Sequence, residues 1–508
     1  MKTILETEEE TYAEMPAKPT IKTLGELKKS GYQSLTIKQE LRKNLVNSLK
    51  NSTFPFLSIH GYEDTVLPQL QTAILSQHNI ILLGLRGQAK TRIARMMVKL
   101  LDEYIPVIAG SELNEDPFNP ITRYSLELLE KEKDNTPVDW LHRDMRYSEK
   151  LATPDVSVAD LVGDLDPIKA ASLKLTYADE RIIHYGIIPR SNRSIFVINE
   201  LPDLQARIQV ALFNILQEGD MEIRGFKLRL PLDIQFVFTA NPEDYTNRGS
   251  IVTPLKDRIE SQILTHYPKT VDIGKAITRQ EINLQSEHKN IHMPELMYSM
   301  VEQIAVAARE SEYIDQKSGV SARLTISAME NLFSTAERRM LLNNEQKTTV
   351  RVSDLFGVIP SITGKVELVY EGEVEGITSV AYNLIGKAIR KEFLNIFPDP
   401  EKVKKRKSPN PYNEILQWFS DANELDIMHN ITENEYRAKL DCVAGLGEVI
   451  MNYVKDIKPG EVHFYSEFLL HGLSEYSQLS KHKLETGVHF KDLLSSMFNI
   501  NPGEEDEY

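Results

Sequence analysis

A chain of 508 residues with 41% apolar and 26% charged residues has the make-up of globular protein and the length of about three or four domains. No apolar run reaches the roughly 20 residues of a membrane-spanning helix, and the opening MKTILETEEETYAEM puts acids where an export signal needs an apolar stretch. The single cysteine, Cys442, excludes an internal disulfide framework and a cysteine metal cluster. With a net charge of −15, broad binding to nucleic acid or to an anionic membrane is not expected, and the cytoplasm is the expected compartment.

In chain order, residues 1–52 read as an acidic tail followed by a short helical segment, with basic residues scattered over 28–43. From 53 to 268 short apolar runs alternate with amphipathic stretches, the pattern of a sheet covered by helices. The strands expected are NIILLG (79–84), IPVIAG (105–110), SIFVIN (194–199), IQFVFTAN (234–241) and SQILTHY (261–267). Helices are expected over 90–104 and 203–217; the second carries Leu204, Ile208, Ala211, Leu212 and Ile215 at helical spacing. Residues 269–396 read as helices. A linker rich in proline and charge spans 397–410 and includes KVKKRK (402–407), and a further helical domain with Trp418 occupies 411–508.

The stretch IILLGLRGQAKTRIARMM (80–97) matches the phosphate-loop pattern at Gly84, Lys90 and Thr91, with Ala89 where glycine is expected. An apolar strand enters it and a helix-like run leaves it, which is the context the motif needs. Such a loop works through consecutive main-chain N–H groups that end at a helix N-terminus and surround phosphate oxygens. Gly84, Leu85, Arg86, Gly87, Gln88, Ala89, Lys90, Thr91 and Arg92 are therefore the expected nucleotide-binding residues. If Ala89 has a negative φ, its methyl costs little and favours the helix.

About a hundred residues on, four apolar residues lead into Asn199 and Glu200 in RSIFVINELPDLQ. Phosphate-loop ATPases place a Mg²⁺-binding Asp and a water-polarising Glu at the end of such a strand. Here Glu200 is in place, while Asn199 offers an oxygen without charge. The pair also suits a helix cap before Asp203. FVFTANPEDY then brings a strand to Asn241, TPLKDRIESQI places Arg258 before the last strand, and GVSARLTISAMENL puts Arg323 at the start of a helix in the next region.

This ordered set resembles the AAA+ ATPases of the MoxR and magnesium-chelatase I-like branch over roughly residues 55–395. Its most specific parts are GLRGQAKT, NELPDL, TANPEDY and PLKDRIESQI. The expected fold class is α/β: a P-loop core with a parallel sheet and flanking helices, then an α-helical lid and a C-terminal helical extension. Loops of this branch commonly carry alanine at the position of Ala89. By the resemblance, Lys90 and Thr91 bind phosphate and Mg²⁺, with Asn199 near the metal, and ATP or ADP is the cofactor. Glu200 is then the catalytic base, Asn241 the first sensor, Arg258 the arginine finger reaching a neighbouring subunit's nucleotide, and Arg323 the second sensor. Arg248 competes for the finger role. A homo-oligomer, most often a hexamer, follows from an arginine supplied in trans.

The same branch implies a helical insertion before the Glu200 strand, fitted by 160–190, and a β-hairpin before the Asn241 strand, fitted by 221–232 with Arg224, Lys227 and Arg229. Both also read as plain packing elaborations. Residues 111–147 receive no role, and His142 and His184 read as structural histidines. The function expected is a motor-like chaperone that remodels or matures a protein client, with a von Willebrand factor A domain protein as a separate partner chain. A nucleotide-gated scaffold and a DNA- or transcription-associated ATPase are the alternatives. The activator loop Gly-Ala-Phe-Thr-Gly-Ala is not found, which leaves nucleic acid unexpected as a partner.

Overall fold

The computed structural model describes residues 18–56, 58–174, 179–218, 230–242, 251–403, 410–458, 460–484 and 486–493. Most of the hairpin expected at 221–232, with Arg224, Lys227 and Arg229, lies outside these residues, as does Arg248. The chain forms two compact units that meet at the His266–Tyr267 bond.

The first unit is built on a five-stranded parallel sheet: β1 (Ile80–Leu83), β2 (Tyr147–Leu151), β3 (Ser194–Asn199), β4 (Ile234–Ala240) and β5 (Ser261–Leu264), in the order β2-β3-β4-β1-β5. Its central strands are apolar in continuous runs because both faces are covered. Alternation along each strand divides them between two cores. Ile81, Leu83, Phe196, Ile198, Phe236 and Phe238 pack with Ile208 and Leu212 on one face. Ile80, Leu82, Ile195, Val197, Val237 and Ile263 pack with Leu41, Leu70 and Ile93 on the other.

One expected strand lies elsewhere. Tyr104–Ile108 pairs antiparallel with Val138–His142 in a separate ribbon, and Pro106, which cannot donate to a ladder, suits that marginal position. The outer strand of the main sheet is β2, YSEKL, in the stretch that carried no assignment. Its polar residues are half-buried, and charge on an outer strand discourages further pairing; hydropathy therefore hides it. The insertion at 160–190 holds a short helix (Pro167–Leu173, capped by Asp166) beside a ribbon of Gly163–Leu165 and Ile183–Tyr185. His142 takes the Asp144 N–H on Nδ1 at 3.3 Å, and His184 lies 3.0 Å from Arg190.

Helix α1 (Ile37–Lys50) opens with a capping box formed by Thr36 and Gln39. It belongs to the sheet's own packing: Leu41 and Leu45 are buried in the second core. Glu40 and Arg146, both buried, pair through two 2.7 Å hydrogen bonds, and Arg146 Nε also donates to the Arg193 carbonyl at 2.9 Å. The Ile37 N–H donates to Asp233 at 2.7 Å. The residues just before β2 and β4 are thus fastened to the N-terminal helix. Helix α2 (Lys90–Met96) follows β1 and α3 (Ala206–Glu218) follows β3.

In the second unit, α4 (Glu295–Arg309), α5 (Arg323–Leu342), α6 (Ile377–Ile396) and α7 (Val462–Glu475) share one continuous core, which runs from Ile291 through Phe393 to Phe468 and Phe490. The stretch after 411, read as helical, also carries an antiparallel sheet of Leu425–Met428, Gly487–Asp492 and Leu479–Leu484. Its polar alternation, as in SKHKL, covers a single apolar face. Among the described residues no helix is long and apolar enough to cross a membrane.

Burial raises the Asp233 carboxyl to about 6. A folded pKa above the unfolded value means that the stability Asp233 supplies is present below about pH 4 and is lost as pH rises through 6. Asp233→Asn, which keeps the acceptor for Ile37, should therefore gain about 2 kcal/mol relative to the parent on going from pH 4 to pH 7, measured by denaturant unfolding. Arg146→Ala strands a buried carboxylate and should cost about 3 kcal/mol at pH 7.

Candidate functional site

The loop between β1 and α2 sits at the edge where the parallel strands end. Its first residue, Gly84, donates its N–H to the Ala240 carbonyl at 3.1 Å, which ties it to the end of β4. A side chain there would run into the Thr265 hydroxyl and the Gln88 amide oxygen, so only glycine fits. Gln88 is buried and accepts a 2.7 Å hydrogen bond from Thr265 Oγ1, while its own carbonyl accepts from the Tyr62 hydroxyl at 3.0 Å. The same hydroxyl lies 2.8 Å from the His266 carbonyl. These contacts turn the Gln88 side chain inward and leave only its main chain to the loop's concave side.

Gly87 and Ala89 both have positive φ, +73° and +57°. The negative φ considered for Ala89 is therefore corrected: it precedes α2 in the left-handed region. That conformation costs an L-residue with a Cβ roughly 1 kcal/mol, which explains why glycine is the pattern residue. Helical preference at this position yields to the left-handed turn of the loop, a backbone conformation found in concave anion-binding arrangements.

Lys90 is the first residue of α2 and is buried. Its ammonium donates to the Gly84 carbonyl, to the Leu85 carbonyl at 3.1 Å and to Asn241 Oδ1 at 3.0 Å. The next residue, Thr91, donates its hydroxyl to Asn199 Oδ1 at 3.4 Å. The same oxygen accepts from Thr239 Oγ1 at 3.2 Å, and Thr239 Oγ1 in turn accepts the Glu200 N–H at 3.2 Å. Glu200 itself is in the left-handed region at φ +55°, a strained conformation of the kind found where a side chain must be aimed. Lys90, Thr91, Asn199, Glu200 and Asn241 therefore meet at one edge of the sheet, contributed by β1, β3 and β4.

The other expected residues are placed differently. Arg86 is exposed and Arg92 half-buried. Arg258 caps the helix Thr253–Asp257 and precedes β5, so it stands at the edge where the strands begin, opposite the loop. It is 40% exposed, pairs with Asp257 at 2.7 Å and lies 5.5 Å from the Phe213 ring. Arg323 is the exposed first residue of α5 in the second unit. Sequence reasoning missed Thr239, Thr265 and Tyr62. Thr239 had a usable signal, since strand alternation places it on the same face as Asn241 two residues later.

The donor set fits a nucleoside triphosphate: a loop with left-handed turns at Gly87 and Ala89, a buried ammonium and a helix start. For Mg²⁺ it supplies hard oxygens, the Thr91 hydroxyl and the Asn199 amide, without a carboxylate between them. Among the described residues no cluster of three or more His, Cys, Asp and Glu side chains offers another metal site. A cation here would take most of its negative ligands from the phosphates.

A five-stranded parallel sheet in this order, with a phosphate-type loop after its second-from-edge strand and a helical unit following in sequence, is an α/β P-loop fold with flanking helices. No protein-family model and no curated protein matches the chain. Similar solved structures include an ATPase from Cytophaga hutchinsonii (17% identity, 71% of this chain and 98% of that one, TM-score 0.28). The complex of magnesium chelatase subunits BchI and BchD is another (20%, 63% and 98%, TM-score 0.32). A third is Hsp104 with ATPγS and casein, of which this chain spans half (13%, 61% and 50%, TM-score 0.36).

Replacing Ala89 by glycine relieves the positive φ. We expect Ala89→Gly to raise unfolding free energy by about 0.5–1 kcal/mol while nucleotide affinity holds. Gly84→Ala should abolish nucleotide binding in an otherwise folded protein, read by circular dichroism beside nucleotide titration.

Proposed function

We propose that this chain is an AAA+ ATPase that binds ATP and ADP with Mg²⁺ in the loop 84–92, hydrolyses ATP as a homo-oligomer, and uses the cycle to remodel or mature a protein client. The observation that carries the reading is the convergence of the Lys90 ammonium, the Asn241 amide and the Thr91–Asn199–Thr239 hydrogen-bond chain at the loop. Lys90 holds the terminal phosphates, and Asn241, its present partner, senses them. Glu200, aimed by its left-handed backbone, takes a proton from the attacking water. Mg²⁺, when bound, neutralises phosphate charge as the terminal bond breaks.

Arg258 supports the oligomeric part. An arginine at the far edge of the sheet serves no nucleotide in its own loop, and its partial exposure suits a neighbour's nucleotide instead. Such a residue makes turnover depend on assembly, by a factor of about 10³ or more. Arg323 is assigned to the second-sensor role, a hexamer is the assembly proposed, and the partner bearing a von Willebrand factor A domain would be a separate chain.

A second reading, a nucleotide-gated scaffold with little hydrolysis, is favoured by one observation: Asn199 carries no charge where the family uses Asp. The two separate on one comparison. Glu200→Gln should keep ATP affinity and lose about a hundredfold or more of steady-state turnover. Arg258→Ala subunits should lose turnover alone yet regain part of it in mixtures with Glu200→Gln subunits. Negligible parental turnover that Asn199→Asp restores selects the scaffold, and turnover unaffected by Glu200→Gln removes the base.

A further inference from the structure

One cavity lies in the second unit, far along the chain from the phosphate loop. It measures about 700 Å³, within the roughly 300–1,000 Å³ of small-molecule sites. The second half of α5 lines one side, and the 3-10 turn Val352–Val358 and α6 contribute Phe356 and Tyr382. The sheet of Leu425–Met428, Gly487–Asp492 and Leu479–Leu484 contributes Lys483 from a strand and His429, Asn430 and Thr486 from its loops.

The lining has two unusual properties. The first is charge. In a chain of net charge −15, its charged residues are two cations, Arg338 and Lys483, with no acid among the described lining residues. Arg338 donates to Asn430 Oδ1 at 3.1 Å, and the Lys483 ammonium rests 4.2 Å from the centre of the Tyr382 ring. Neither forms an ion pair among the described residues. Two acids that act electrostatically on His429 of the wall are committed elsewhere. Asp354 accepts from Arg339 at 2.9 Å and from the Arg351 N–H at 2.8 Å, and Glu467 accepts from the Val352 and Ser353 N–H groups and from Tyr436. An adjoining cavity of about 340 Å³ shares Phe356, Tyr382 and Lys483, and its one acid, Glu475, is paired with Lys481 at 2.6 Å.

The second property is an aromatic wall. Phe356 lies 5.7 Å from Tyr382 and 6.2 Å from His429, ring centre to ring centre. Burial holds His429 below its ordinary pKa, so it adds a flat neutral face. Unpaired cations beside aromatic faces suit one ligand chemistry: charge at one end and a planar ring at the other.

We propose that this cavity binds a small organic anion, a flat ring bearing a phosphate or a carboxylate, with Arg338 and Lys483 taking the charge and Phe356 and Tyr382 the ring. The described lining belongs to the second unit alone, and the test removes the nucleotide loop from the outcome. Full-length protein carrying Lys90→Ala would be titrated calorimetrically with phenyl phosphate, benzoate, inorganic phosphate and phenol at fixed salt. Phenyl phosphate or benzoate should bind, with phenol and inorganic phosphate weaker by about tenfold or more. Preference between the first two identifies the acid group. Added Arg338→Ala and Lys483→Ala, both at exposed positions, should weaken binding by about tenfold or more, whereas Lys347→Ala with Lys365→Ala, the same change in net charge, should leave it intact. The proposal is overturned by no binding of either ringed anion, by phenol or inorganic phosphate matching them, or by equal effects of the two double substitutions.

Discussion

A phosphate loop has no side-chain framework of its own, so something outside it must keep its N–H groups convergent. In this chain the framework is a small buried knot. Gln88 folds its amide back onto Thr265, Tyr62 spans the Gln88 and His266 carbonyls, and Gly84 leaves the space that knot fills. Three segments distant in sequence are thus committed to one another before any ligand is considered. Positive φ at Gly87 and Ala89 persists because these contacts over-determine it. The sheet does the rest: register pairs Leu83 with both Ala240 and Leu264, which aligns the strand ends that deliver Asn241 and Thr265.

The neutral Asn199 gives the site its electrostatic character. Two hydroxyls, from Thr91 and Thr239, donate to its single side-chain oxygen. An Asp there would accept the same bonds with a charge and two oxygens to share, so the hydrogen-bond chain is preserved while the negative field at the metal position falls. Glu200 is then the acid that the β3 edge brings to the loop. In the proposed function, binding and hydrolysis would draw on different residues of this layout, Lys90 for the first and Glu200 for the second.

How much was legible follows from how local each signal is. The loop, the end of β3 and the end of β4 announce themselves because an apolar run ending in a polar residue is written in consecutive positions. β2 does not, since Ser148, Glu149 and Lys150 give an outer strand the composition of a loop. Tyr62 and Thr265 are ordinary residues whose roles come from partners 204 and 177 positions away, and no window contains both. The handedness of Ala89 was likewise out of reach, because helix propensity describes an isolated turn and the knot around Gln88 decides this one. In the second unit, one core joins residues on both sides of the linker, a join that linker composition conceals.

Three of the oxygens around the Lys90 ammonium, those of Gly84, Leu85 and Asn241, bear on selectivity among anions. Any newcomer must offer that ammonium more than two carbonyls and an amide already do. A singly charged, well-hydrated ion competes poorly on those terms, while a chain of phosphates competes well. If the ammonium turned to a phosphate, as the proposed function has it, Asn241 would lose this hydrogen bond and the end of β4 would register that the loop is filled. Occupancy would in this way become a change at a neighbouring strand, through one proton donor with alternative acceptors.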